Sequence, residues 1–232
     1  MVERIVDNKP ELTSNLISAD NCLDILTEKE QQELYVNSNK IEFEPGETII
    51  KKGFVASNVL YLERGLAKLD ISSANFHSTV NLIAPKSFVG IICTFASHNF
   101  DFSAIAIEKT TIISFEMTLF EKFVHQNGEF ACRLIRHMSG LTNVLVHRAS
   151  RLAQKNIDGA LSIILIEFSI IYKNDSFAIP LNRKELAQLI GYSKESVINT
   201  LSKFNKEGII SVHEKKITIL DKNKLSQIAE VG

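Results

Sequence analysis

The chain has 232 residues, of which 45% are hydrophobic and 23% are charged, and its net charge is −1. This composition is typical of a soluble globular protein with room for one large domain or two smaller ones. No apolar run approaches the roughly 20 residues of a membrane span, and the first residues lack the apolar core of a signal peptide, so we expect a cytoplasmic protein without membrane contact.

The small net charge hides an uneven distribution along the chain. Between residues 182 and 226 there are nine Lys or Arg and five Asp or Glu, whereas the rest of the chain is acidic. A basic C-terminal segment favours a polyanionic partner at that end, although a solvated lysine-rich tail would give the same surplus.

The cysteines give no sign of a disulfide framework. Cys22, Cys93 and Cys132 are an odd number, lie far apart and include no C-x-x-C pair. We therefore expect reduced thiols and no cysteine-rich metal site.

Short β-rich segments dominate the first half of the chain. A helix precedes them in TEKEQQELYV, where Thr27 and Glu30 have the spacing of a capping box. In one segment, from Ala67 to Ile71, apolar and charged residues alternate with the period of a half-buried strand. Turns rich in Pro, Gly, Asn and Ser separate the segments, which predicts a β-sandwich or jelly roll. The segments are IEFEPGETII, VLYLERGLAKLDI, STVNLIAPKSFVG, FSAIAIEKT and TIISFE.

After Gly128 the apolar period changes from that of strands to that of a helix. Apolar or small residues follow one another at alternating spacings of four and three, over about three heptads, in a stretch without proline. We interpret this seam as the interface of a parallel homodimer, although a helix packed only within its own subunit would carry the same stripe. A second set, Leu134, Leu141 and Val144, would face the chain's own β-domain. The seam consists of Ala131, Ile135, Met138, Thr142, Leu145, Ala149 and Leu152.

The C-terminal third has the pattern of a winged helix-turn-helix. The apolar segment IDGALSIILIEFSIIY predicts a buried helix, and KNDSFAIP predicts a polar loop after it. A second helix, RKELAQLIG, would end at Gly191, and Ser193 can cap a third in which Val197, Leu201 and Phe204 share one face. Two short helices joined by a glycine turn make a helix-turn-helix, and IISVHEKKITIL beyond them predicts a hairpin that would form a wing.

Four motifs together carry a family resemblance. LNRKELAQLIGYSKESVINTLSKFNKEGIISV has nearly the spacing of a DNA-binding signature, and EPGETIIKKG, LYLERGLAKL and FVGII precede it. In this order they resemble regulators of the cyclic-AMP-receptor and Fnr type, the Crp/Fnr family, from about Ile25 to the end. The resemblance implies an α+β fold: a cyclic-nucleotide-binding-like β jelly roll over 1–126, a long dimerisation helix over 127–156 and a C-terminal winged helix-turn-helix over 157–232. It implies double-stranded DNA and a second copy of the chain as partners.

The resemblance also assigns roles to the second helix of the helix-turn-helix, which would enter the major groove. Lys194, Glu195 and Asn199 match base-reading positions, where lysine donates to guanine, glutamate accepts from cytosine and asparagine pairs with adenine. Asn199 stands where the family usually has arginine, so we expect a changed operator preference there. The alternative role of Glu195 is only to stabilise the dipole of its own helix. The positions that hold phosphates are matched by Arg183, Ser193 and Ser196.

The residues that bind cyclic nucleotides in the family are replaced in this chain. Nucleotide-binding members carry a Glu after the glycine that matches Gly90 and an Arg before the residue that matches Ser103, whereas this chain has Ile91 and Phe102. Without that arginine a buried phosphate would lack its charged partner. We expect these four residues to form an effector pocket that is more apolar than the family's and does not take cyclic AMP in the usual mode.

Some relatives contain a metal group, which suggests an iron–sulfur cluster or haem for the N-terminal half. An iron–sulfur cluster would lack ligands in this chain, because only Cys22 precedes the jelly roll. Haem would have Cys93, His98 and His77 as candidate ligands, but a single cysteine in GIICTF is more often a small core residue. We therefore predict no metal and no cofactor.

Two other functions compete with DNA-binding regulation. The chain has no Gly-rich phosphate loop, no H-E-x-x-H and no G-x-S-x-G motif, so we predict no enzymatic activity. The second alternative is a sensor module that uses haem or another small apolar effector and whose helical tail binds protein. For a regulator, the resemblance also implies contact with RNA polymerase through a surface loop at 173–182.

Overall fold

The structure, a computed structural model, describes residues 20–73, 76–96 and 99–232. The N-terminal part, called the β-domain below, contains α1 (Asp20–Leu23), α2 (Glu28–Val36), β1 (Ser38–Phe43), β2 (Thr48–Ile50), β3 (Asn58–Arg64), β4 (Ala67–Ser73), β5 (Phe76–Ile83), β6 (Ser87–Val89), α3 (Ile91–Ala96), β7 (Ser103–Ala106) and β8 (Thr110–Glu116). The remainder contains α4 (Met117–Gln126), α5 (Gly128–Gln154), α6 (Ile157–Tyr172), β9 (Ser176–Ala178), α7 (Arg183–Ile190), α8 (Lys194–Lys206), β10 (Ile210–His213), β11 (Lys216–Ile219) and α9 (Lys222–Val231).

The β-domain consists of two antiparallel four-stranded sheets, in the orders β1-β8-β3-β6 and β2-β7-β4-β5. Side chains from both sheets, including Leu62, Ala104 and Ile112, form the core between them. The jelly-roll prediction is therefore confirmed. The capping box before the strands is also confirmed, because the Thr27 N–H donates to Glu30 Oε2 at 2.8 Å and the Glu30 N–H donates to Thr27 Oγ1 at 3.3 Å.

The long helix α5 leaves the β-domain with one face packed against it. Phe130 lies 5.4 Å from the Phe120 ring, which in turn contacts Phe88 and Phe115, and Leu134 is buried in the same cluster. Burial of these aromatic rings fixes the start of α5 on the β1-β8-β3-β6 sheet. No helix among the described residues is long and apolar enough to cross a membrane.

The C-terminal domain, residues 157–232, is built around α6, whose residues from Gly159 to Ser169 are all buried. The segment after it was predicted to be a polar loop, and that prediction is wrong in part. It contains β9, which pairs with β11, and it buries Phe177 and Ile179. Burial alternates along this short edge strand, because Phe177 and Ile179 are buried and Ala178 between them is exposed. Helix α9, which the sequence patterns did not predict, packs on α6.

The strand β4 departs from the simple alternation expected of it. Lys68 and Asp70 are 6% and 2% exposed, whereas Ile71 is 39% exposed. The pairing of β4 with β5 has a register shift between Leu69 and Asp70, and the C-terminal domain covers this part of the sheet through Glu185. Both faces of the strand are thus covered at its start, which a period-two pattern does not predict.

Candidate nucleic-acid interface

Helices α7 and α8 form the predicted helix-turn-helix, and local hydrogen bonds define both ends of the turn. Asn182 caps α7, and its side chain accepts from the N–H of Glu185 at 3.0 Å. Gly191 ends α7 with φ of 77°, a left-handed conformation that favours glycine. Ser193 caps α8 by accepting from the N–H of Ser196 at 3.1 Å. The roles predicted for Gly191 in the turn and Ser193 as a cap are confirmed.

Helix α8 has one anchored face and one free face. Val197, Leu201 and Phe204 are buried against the other helices of the domain. On the opposite side, Lys194, Glu195 and Asn199 are exposed, and within the described residues their side chains make no hydrogen bond to another group. Together these three present an ammonium donor, a carboxylate acceptor and an amide, and these are the groups that pair with base edges.

The structure gives the three phosphate candidates different surroundings. The hydroxyls of Ser193 and Ser196 lie 2.9 Å apart at the N-terminus of α8, where backbone N–H groups and the helix dipole favour an anion. Arg183 is half-buried, and its Nη2 donates to the carbonyl of Glu214 at 3.2 Å. Burial lowers the pKa of Arg183 from its ordinary value. Arg183 therefore also attaches the start of α7 to the wing.

The wing is the hairpin of β10 and β11, and β9 extends it to three strands. Glu214 occupies its turn with φ of 54°, and Lys215 and Lys216 are exposed beside it. The predicted hairpin is confirmed, and its tip places two cations on the surface of the domain.

One residue on the free side of α8 was not identified by sequence reasoning. Ile198 is 44% exposed and lines a shallow groove with Arg183, Asn205 and Val212. An apolar side chain in this position can contact a thymine methyl group. Its signal in the sequence is that it is an apolar residue of α8 outside the spacing of Val197, Leu201 and Phe204.

The seam residues on α5 are only partly covered by their own subunit. None of the seven is buried, and Ile135 is 63% exposed. Thr142 is also exposed, and its hydroxyl donates to the carbonyl of Met138 at 2.9 Å. The adjacent face contains Leu134, which is buried, and Leu141, which lines a cavity beside the β-domain.

That cavity, of about 380 Å³, lies between the β-domain and the second half of α5. Gly90, Ile91 and Phe102, three of the four predicted pocket residues, line it. Gly90 has φ of 77°, and a Cβ at this position would lie 2.7 Å from the ring of Phe100, so the backbone conformation and the close approach both require glycine. Ser103 is not part of the described wall, since its hydroxyl accepts from the backbone N–H of Lys52 at 3.2 Å.

The three cysteines lie in different parts of the fold. Cys93 lines the cavity, the side chain of His77 is not described, and His98 lies outside the described residues. Cys22 is buried, and burial raises its pKa to about 11, so its thiol stays protonated. In the described ranges no group of three or more His, Cys, Asp or Glu side chains could hold a metal ion.

Comparison with known proteins matches both halves of this arrangement. Residues 40–127 match the family model of the cyclic nucleotide-binding domain, and residues 159–228 match that of the Crp-like helix-turn-helix domain. The global nitrogen regulator of Nostoc sp. (strain PCC 7120) is 25% identical over 190 residues, which are 76% of this chain and 83% of that relative. The nitrogen fixation regulation protein FixK of Bradyrhizobium diazoefficiens is 23% identical over 197 residues, 82% of this chain and 81% of that relative.

A solved structure supports the fold as a whole. FixK2 from Bradyrhizobium japonicum superposes with a TM-score of 0.74 at 17% sequence identity, over 82% of this chain and 96% of that chain. The two matched domains, the long helix between them and the free face of α8 are all present here in one chain. The protein thus belongs to the Crp/Fnr family of DNA-binding transcription regulators.

Proposed function

We propose that the protein acts in the cytoplasm as a homodimer that reads a two-fold symmetric operator through Lys194, Glu195 and Asn199. The observation that carries this proposal is the division of α8 into a buried face and a face with three exposed polar side chains. Arg183, Ser193 and Ser196 orient this face by holding phosphates, which do not distinguish one sequence from another.

The exposed seam of α5 supports the homodimer. Burial of Ile135, Met138 and Leu145 against the same residues of a second copy would remove apolar surface from water along about three heptads. A parallel pair of α5 helices places the two α8 helices on the same side of the dimer. Their separation on DNA is then about 34 Å, one turn of the double helix.

Fluorescence titration of labelled duplexes tests this function. The full-length protein is titrated with a palindrome selected from a random pool and with a scrambled duplex, each at several salt concentrations. We expect tighter binding to the palindrome and a linear fall of log K with log salt, because several phosphate counterions are released. Binding without salt dependence would instead favour the alternative module whose tail binds protein.

Two substitutions separate base reading from phosphate contact in the same assay. Glu195→Ala should reduce discrimination between palindrome and scrambled duplex, whereas Arg183→Ala should weaken both complexes alike. Lys206→Ala, at the far end of α8, is the matched control for loss of an exposed charge. Unchanged specificity of Glu195→Ala would show that the reading surface is assigned to the wrong residues.

We propose that the cavity is the effector site and that the effector is neither cyclic AMP in the usual mode nor haem. Phe102 packs at 6.0 Å from the Phe100 ring where a phosphate-binding arginine would be needed. The described residues that line the cavity near Cys93 include no histidine. A purified protein with a Soret band, or with one after haem is added, would contradict the second part of this proposal.

We propose that RNA polymerase contacts the exposed residues of the segment 173–182 and not the whole segment. Phe177, Ile179 and Leu181 are buried there, which leaves Lys173, Asn174 and the other exposed residues for a partner. Lys173→Ala with Asn174→Ala should reduce transcription activation and leave operator affinity unchanged. Full activation by this double variant would exclude the contact.

A further inference from the structure

Arg148 lies in the last turns of α5, between the cavity and the C-terminal domain. It is 5% exposed and lines the cavity. Its Nη1 donates to Glu167 Oε2 on α6 at 2.7 Å, and both side chains of this ion pair are buried. The same guanidinium therefore belongs to the cavity wall and to the contact between α5 and the C-terminal domain.

One edge of this guanidinium is buried without an acceptor. The Nε and Nη2 atoms of Arg148 have no hydrogen-bond partner among the residues that the structure describes. These two nitrogens form the side edge of the fork, and their N–H groups point in parallel, the geometry that matches the two oxygens of a carboxylate. A buried charged donor without an acceptor is costly, so a group that supplies acceptors there would be strongly favoured.

The rest of the cavity wall is mainly apolar. Leu69, Val80 and Leu82 line it from the sheet that contains β4 and β5, and Phe88, Ile92 and Leu141 line the other sides. Among the described lining residues only Arg148 is charged, while Asn81 and Ser87 add neutral polar groups. The volume of about 380 Å³ falls within the range of small-molecule sites.

We propose that the cavity binds a small monocarboxylate with an apolar body, whose carboxylate accepts from Nε and Nη2 of Arg148. The apolar body lies among the leucine, valine and phenylalanine side chains of the wall. A dianionic phosphate fits less well, because the described wall has only one guanidinium, which Glu167 already shares, and each further negative charge adds to the cost of burial. This inference rests on the proposed role of the cavity as the effector site and adds the chemical class of the ligand.

The position of Arg148 also connects such a ligand to DNA binding. A carboxylate on the Nε edge would share the guanidinium with Glu167, which is on the first helix of the C-terminal domain. Leu145, Ala149 and Leu152 line the cavity and also belong to the seam. A bound ligand would therefore contact the two surfaces that set the separation of the reading helices.

Calorimetric titration of the full-length protein with octanoate and with 1-octanol tests the proposal without DNA. The two probes share an apolar body and differ in the carboxylate. We expect octanoate to bind at least tenfold more tightly than octanol. In Arg148→Met/Glu167→Gln, which removes both charges and leaves neither one unpaired, this preference should disappear while octanol still binds. The control Arg136→Met removes an exposed arginine of the same helix and should keep the preference.

Three results would overturn the inference: equal affinity of the wild type for both probes, no binding of either probe, or a preference for octanoate that survives in the double variant. Arg148→Lys is the second test and does not depend on whether the double variant folds. Lysine keeps the charge but loses the parallel fork, so this variant should show a smaller preference for octanoate over octanol. The titration measures ligand binding in the absence of DNA. A protein that prefers octanoate but binds no operator would therefore contradict the proposed function and still support the inferred ligand class.

Discussion

Lys68 Nζ lies 2.8 Å from Glu185 Oε1, so a strand of the β-domain is paired with the first helix of the helix-turn-helix. The same ammonium lies 3.2 Å from Asp70 Oδ2. Near this pair, the hydroxyl of Ser78 donates to the carbonyl of Gln188 at 3.3 Å. The domain that would sense an effector is thus in direct polar contact with the helix that positions α8.

We expect Lys68→Met to lower the free energy of unfolding by about 3 kcal/mol, because it removes the cation that pairs with Asp70 and Glu185 in a largely buried place. Denaturant unfolding measures this. The matched control is Lys40→Met, whose pair with Glu63 lies at the surface and should contribute less than about 1 kcal/mol. Equal losses in the two variants would show that the Lys68 contact does not hold the domains together.

The same contact predicts a dependence of stability on pH. Burial tends to raise the pKa of Glu185, but hydrogen bonds from Lys68 and from the Asn182 backbone outweigh it and hold the pKa below its ordinary value of 4.5. A depressed carboxyl pKa stabilises the fold above the unfolded-state pKa, and this stability is lost as the pH falls through the folded-state pKa. Unfolding measured from pH 7 to pH 3 should show this loss in the wild type. It should be smaller in Lys68→Met, and an identical acid limb in both proteins would contradict the assignment.

Asn199→Arg should change the base preferred at one position of each half-site. Asparagine pairs with adenine and arginine with guanine, and each such pair discriminates by about 1–3 kcal/mol. Selection from a random pool with both proteins measures the change. Lys203→Arg, on the same helix but ion-paired to Asp158 at 2.5 Å, should leave the selected sequence as it is. An unchanged operator for Asn199→Arg would place this side chain away from the bases.

The proposed dimer predicts that Ile135→Asp yields a monomer, because the substitution places a carboxylate within the apolar seam. Sedimentation and operator titration should both report the change, the second as a loss of cooperative binding to two half-sites. Asn143→Asp adds the same charge to an exposed position of α5 outside the seam and should remain dimeric. A dimer that survives Ile135→Asp would show that the subunits meet elsewhere.

Several of the predicted features depend on interactions between residues close in sequence. The capping box of Thr27, the left-handed Gly191, the cap at Ser193 and the apolar spacing of α8 act within a few residues, so their patterns predict them directly. The jelly-roll class also follows, because alternating segments separated by turns leave few other arrangements.

Other features depend on contacts between residues far apart in the chain. Alternation along β4 predicts that Lys68 and Asp70 face solvent, but both are buried, where Lys68 contacts Glu185 on α7 and Asp70 contacts Thr79 on β5. In the sequence, Arg148 is one more charged residue of a long helix. Only the packing of α5 beside the cavity and α6 shows that its guanidinium is buried, with Nη1 bonded to Glu167 and with Nε and Nη2 lacking an acceptor.

The sequence by itself determined most of the local elements, including the helix-turn-helix and its wing but neither β9 nor α9, and the family resemblance assigned the replacement of the nucleotide-binding residues by Ile91 and Phe102. Caps, turns and apolar periods are properties of neighbouring residues, so they can be read without the fold. The tertiary structure alone decided which charges are buried, that Ser103 lies outside the cavity wall and that Arg148 lies inside it. The burial of a charge depends on what packs over it, and that is set by elements distant in the chain.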